Sequence, residues 1–95
     1  MRRKKAVLIR CYMTESRSHV EKLIGRLEAT EEVRGITIIE ARTGLGSTKP
    51  PPGFVDPPVI VELFDHPDRE EELVRLLRRL LAPRHILCVP VDLYE

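Results

Sequence analysis

Val59-Ile-Val-Glu-Leu-Phe-Asp-His-Pro-Asp-Arg-Glu-Glu-Glu-Leu-Val-Arg-Leu-Leu-Arg-Arg-Leu-Leu-Ala-Pro83 changes its hydrophobic period once, and that change decides the fold. From Val59 to Phe64 side chains alternate, with Val59, Val61 and Leu63 opposing Ile60, Glu62 and Phe64, the period of a β-strand. Asp65-His-Pro-Asp68 then reads as a helix start, a capping acid followed by a proline in the first turn, where its missing N–H costs little. Leu73, Leu76, Leu77, Leu80 and Leu81 form one helical stripe. Glu70, Glu71 and Glu72 near its start and Arg75, Arg78 and Arg79 near its end complement the helix dipole. Pro83 stops the helix.

Ile86 to Val91 supplies the next strand, β-branched and apolar. Upstream, Ala6 to Tyr12 is another strand-forming run. Ser18 and Glu21 have the spacing of a capping box, which predicts a helix from about Ser18 with Val20, Leu23, Ile24 and Leu27 on one face. Gly35 restarts an apolar run, and Ile36-Thr-Ile-Ile39 reads as the strand before the central segment. The order is βαββαβ. Two interleaved right-handed crossovers predict an α+β, ferredoxin-like sandwich: a four-stranded antiparallel sheet with both helices on one face.

The other face is then uncovered. Val7, Ile9 and Cys11 are placed under the helices with Val59, Val61 and Leu63, leaving Leu8, Arg10, Tyr12, Ile60, Glu62 and Phe64 outside. Such an apolar face marks an interface, and a homo-oligomer is expected. Arg10 and Glu62 fall on neighbouring antiparallel strands, so a cross-strand ion pair lets both charges enter it. The alternative is a solvated face with a rim salt bridge.

Thr43-Gly-Leu-Gly-Ser-Thr-Lys-Pro-Pro-Pro-Gly-Phe-Val-Asp-Pro-Pro58 joins the two middle strands. It is too long for a hairpin turn, and a compact domain carries such a connection when the loop binds something or is disordered, which makes it the first place to look for function. Residues 44–57 are therefore read as a loop. Gly44 and Gly46 can turn backbone N–H groups toward a phosphate, or they can be a flexible exit from a strand. Arg42, Thr43 and Lys49 would flank or extend such an anion site, Arg42 with the fork geometry that suits phosphate; the alternative is that Arg42 and Lys49 are simply solvated. Lys49-Pro-Pro-Pro-Gly-Phe54 is either a partner-docking polyproline segment anchored by Phe54 or a stiff spacer.

The whole chain has 95 residues, 42% of them hydrophobic, enough for a single small domain over 1–95 that oligomerisation would help. Sixteen basic and 15 acidic residues leave a net charge of +1, which gives no argument for nucleic acid or acidic lipid. With four aromatic residues, two Tyr and two Phe, the sheet is poorly supplied with stacking platforms for RNA. Met1-Arg-Arg-Lys-Lys5 leads into only a short apolar run, so a cytoplasmic protein is expected. Cys11 and Cys88 read as reduced, packed thiols, though a redox-switched cross-link is conceivable if their strands are neighbours. His19, His66 and His85 lack metal-ligand spacing, the first two reading as helix-start residues. No catalytic constellation is evident, so the chain reads as a non-enzyme without a required cofactor or metal.

Leu8-Ile-Arg-Cys-Tyr12-Met-Thr-Glu15-Ser16, Gly35-Ile-Thr-Ile-Ile39, Gly44-Leu-Gly46 and Pro58-Val-Ile-Val-Glu-Leu-Phe-Asp65, in this order, resemble the PII-like family filed as domain of unknown function 190. The likeness spans nearly the whole chain. It implies a ferredoxin-like homotrimer with sheets facing the threefold axis and a signalling role. The effector would be an adenine nucleotide, ATP, ADP or AMP with or without magnesium, or a similar small anion bound between subunits. The loop would act on a protein target, a membrane transporter being one candidate class. Arg84 and His85 join the anion site through this resemblance alone. The chain departs from PII proteins in having Ala82-Pro-Arg-His85 where they carry a glycine-rich segment. The alternatives are a trimeric metal-binding protein similar to CutA, or an interaction trimer without nucleotide.

Overall fold

A computed structural model describes residues 1–13, 17–29, 33, 35–40 and 59–95. The elements are β1 (Arg3–Met13), α1 (Arg17–Ala29), β2 (Thr37–Glu40), β3 (Val59–Asp65), α2 (Glu70–Leu81) and β4 (His85–Tyr94), with a 3-10 turn over Pro67–Arg69 leading into α2. One four-stranded sheet has the order β2-β3-β1-β4, and every neighbouring pair is antiparallel. This α+β architecture is compatible with a ferredoxin-like fold.

The alternation read from the sequence sorts the strand faces. Val7, Ile9, Cys11 and Met13 of β1 join Val59, Val61 and Leu63 of β3, Val20, Ile24 and Leu27 of α1, and Leu73, Leu76, Leu77 and Leu81 of α2 in one core cluster. Leu23 and Leu80, on the edges of the two helical stripes, are partly buried against it. No polar side chain is buried among the described residues, so burial of these apolar groups, each worth about 1.5–3 kcal/mol, dominates the assembly of the layers.

Three boundaries differ from the sequence reading. His66, not Asp65, caps the turn before α2: its Nδ1 accepts from the Asp68 N–H at 3.2 Å. Asp65 instead accepts from the His66 N–H at 2.6 Å and holds the Arg69 guanidinium at 2.7 Å. At the other helix, α1 already includes Arg17, so Ser18 lies inside its first turn. The Glu21 carboxylate meets the Arg17 Nε at 2.9 Å, an i,i+4 pair along that helix.

The third difference is length. β1 and β4 pair well beyond the apolar runs that announce them, because the basic start of the chain is neutralised by the acidic end. Asp92 accepts from Arg3 and from Lys5, both at 2.9 Å, and Lys4 reaches Glu95 at 3.1 Å. Reciprocal backbone bonds of 2.8 Å between Arg2 and Glu95 close the ribbon.

Those bonds also fix the phase of the ladder. Counting along the register from Arg2 and Glu95 places Val7 and Pro90 as a non-hydrogen-bonded pair. The Pro90 nitrogen therefore points away from β1, at the sheet edge, where no donor is needed. At the far end of α2, Ala82 adopts φ 45°, ψ 53°, and its N–H donates to the Arg78 carbonyl. This left-handed C-cap holds a residue with a Cβ where glycine is the usual occupant.

Candidate functional site

Strand direction gathers one set of ends together. Glu40 pairs with Val59, Val59 with Met13, and Tyr12 with His85. Chain segment 41–58 therefore departs and returns on two adjacent strands at this end of the sheet. Arg17 bridges the helix layer to it, its Nη1 lying 2.9 Å from Glu40 Oε1. On the opposite flank the Arg84 N–H donates to the Tyr12 carbonyl at 2.9 Å, and both Arg84 and His85 are exposed.

Arg84 and His85 thus share an end of the sheet with the strands flanking 41–58, but not a strand pair. β2 and β4 are the outer strands, and three interstrand spacings amount to about 14 Å. Within one subunit, Arg84 and His85 stand across the sheet from Glu40. Arg42, Thr43, Gly44, Gly46, Lys49 and Phe54 lie outside the described residues.

The uncovered sheet face follows the sequence reading closely. Leu8 stands opposite Phe64, Arg10 opposite Glu62 and Tyr12 opposite Ile60. The Arg10 Nε lies 2.6 Å from Glu62 Oε2. That carboxylate, by hydrogen bond and by charge, raises the Arg10 pKa above its ordinary value, and Tyr12 adds to the effect. Phe64 is 48% exposed; it stands near the end of β3, beyond the pairing with Thr37, where the described part of β2 offers no neighbour beside it.

The sequence reading left part of this face unassigned. Leu87, 46% exposed, and Val89, 36% exposed, continue it onto β4, opposite Arg10 and Leu8. Ile39 continues it onto β2, opposite Ile60. The signal was present as the same alternation within Ile86 to Val91, where Ile86 and Cys88 fall on the helix side with Cys11 and Ile9.

At the opposite end of the sheet, Lys4, Lys5, Ala6, Gly35, Phe64 and His66 help to line a cleft of about 460 Å³. Its lysines are already matched, Lys4 by Glu95 and Lys5 by Asp92, so they offer an anion less than the unsatisfied cations of a dedicated site. Among the described residues no group of three His, Cys, Asp or Glu side chains is placed to hold a metal ion. No described helix is long and apolar enough to cross a membrane.

No family model matches the chain, and the search of curated proteins gave no match.

Proposed function

We propose that this chain is a PII-like regulatory protein. In this reading three copies close through their uncovered sheet faces. An adenine nucleotide or similar small anion binds between subunits, and residues 44–57 pass the bound state to a partner protein. The protein acts in the cytoplasm as a binding module, without catalysis.

The observation that carries the reading is the character of the open face: Leu8, Tyr12, Ile60, Phe64, Leu87 and Val89 surround an ion pair neutralised within the chain. An exposed apolar patch of this kind marks a protein interface, and a neutral one suits a second copy of itself. The separation of Arg84 and His85 from the strands flanking 41–58 is consistent with an effector site completed across a subunit boundary.

The test begins with solution mass, for which a stable trimer is expected. Calorimetric titration with ATP, ADP and AMP, with and without magnesium, should then give saturable binding at one site per subunit, lost in Arg42→Ala and weakened in Arg84→Ala. A monomer defeats the proposal. A trimer that binds no nucleotide but binds a divalent metal stoichiometrically moves the assignment to the CutA-like alternative.

A further inference from the structure

Between Lys4 at one end and His85 at the other, Arg10 and Glu62 are the charged residues of the described open face. They face each other on the central strand pair, with side chains 40% and 23% exposed and a 2.6 Å contact. Tyr12 shares this face, two residues along β1 from Arg10 and opposite Ile60. Their neighbours across the ladder are Leu87, opposite Arg10, and Thr37, opposite Glu62. Leu8, Ile60 and Phe64 complete the surround.

We propose that Arg10 and Glu62 form a specificity lock that allows this face to close only on the neutral face of another copy. The inference rests on the self-assembly proposed above and adds how the face selects its occupant. Each charge has its partner on the same chain, so the face offers nothing to a partner with an unmatched charge. Such a partner would have to desolvate its own charge opposite an ion pair already satisfied. Another copy brings only apolar surface and its own internally matched pair.

The lock is conditional on both members. When one is removed, closure buries an uncompensated charge, whereas replacing both by apolar groups leaves none to bury. The two single replacements should therefore both weaken closure, and the double replacement should restore it.

The experiment measures the dissociation constant of the assembly by light scattering or mass photometry at pH 8. Wild-type protein should assemble. Arg10→Met and Glu62→Leu should each weaken assembly at least tenfold, and the double variant Arg10→Met/Glu62→Leu should recover most of that loss. Should Arg10→Met fail to fold, Glu62→Gln keeps the shape and should be weakened in the same way. Wild-type assembly with Arg10→Met or Glu62→Gln equally tight at pH 8 overturns the lock and leaves the assembly standing; a monomeric wild type overturns both.

Discussion

Cys88 lies directly opposite Ile9 across the β1–β4 ladder, and Cys11 lies opposite Ile86. The two thiols share the helix-facing side but sit on a diagonal, where Cα atoms stand about 7–8 Å apart. A disulfide needs less than about 7 Å. Burial pushes the Cys11 pKa up from 9.0 to about 12, with a smaller contribution from Cys88. Burial raises that of Cys88 as well, with Glu70 adding to it. Oxidised glutathione should leave the intact mass of the folded protein unchanged, and Cys11 should resist alkylation at pH 8 until denaturant is added. An intramolecular cross-link would contradict this geometry.

The same thiol sets an alkaline limit. Because its pKa is higher in the folded chain, its contribution to stability is whole below pH 9.0 and is lost as pH rises toward 12. That displacement is equivalent to about 4 kcal/mol at most. Cys11→Val, close in volume, should differ from wild type by less than about 1.5 kcal/mol at pH 8. It should lose less stability than wild type between pH 9 and 11, as followed by urea midpoints.

Ala82 is the residue in the described structure for which replacement by glycine should stabilise. Its left-handed backbone costs a residue with a Cβ roughly 1–2 kcal/mol, and Pro83 crowds it further. Gly gives back about 0.4–1 kcal/mol through the greater freedom of the unfolded chain. Ala82→Gly should therefore gain about 0.5–1 kcal/mol net, raising Tm by a few degrees in calorimetry.

Asp92 holds the ends of β1 and β4 together, and its pKa is lowered from 3.8 chiefly by Lys5 and then Arg3. The contribution is present above pH 3.8 and is lost as pH falls through the lower folded-state value. Asp92→Asn should speed amide exchange at Lys4 and Leu93 several-fold near neutrality. The difference should shrink at high salt and close toward pH 2.

Leu77 and Leu87 separate the two sides of the sheet. Leu77 is fully buried, so Leu77→Ala should cost about 2–5 kcal/mol in unfolding free energy. Leu87 is 46% exposed in the single chain, so Leu87→Ala should change monomer stability by no more than about 0.5 kcal/mol. Its effect should appear as a raised dissociation constant of the proposed assembly.

Periodicity made the layers legible from the residues alone. The alternation in Val59 to Phe64 and the leucine stripe of α2 specify both which side is buried and which is bare, and the Arg10–Glu62 pair follows from antiparallel register. What escaped was set by contacts distant in sequence. Nothing local tells that Arg3 and Lys5 will find Asp92 and extend both strands. Nor does the local pattern tell that Arg17 will take Glu40; the cap at His66 is the exception, a local bond to the Asp68 N–H that the stronger capping preference of an acid at Asp65 hides in the sequence. The proposed anion site rests on residue types in 42–49 alone, since a glycine pair and two cations define a chemistry without defining a partner across the sheet.

Pro90 bears on how far self-association can run. β4 is a ten-residue strand on the outside of the sheet, and a strand of that length is ordinarily a template on which further chains add, one after another without limit. With its nitrogen turned outward at Pro90, the strand breaks its own row of donors near the middle, and at the opposite margin the described part of β2 offers four residues. Growth along the hydrogen-bonding direction is thus discouraged at both margins. Among the described residues the exposed apolar side chains gather chiefly on one broad face, and in the proposed assembly neighbouring copies use that face up, which favours a fixed size over a fibre.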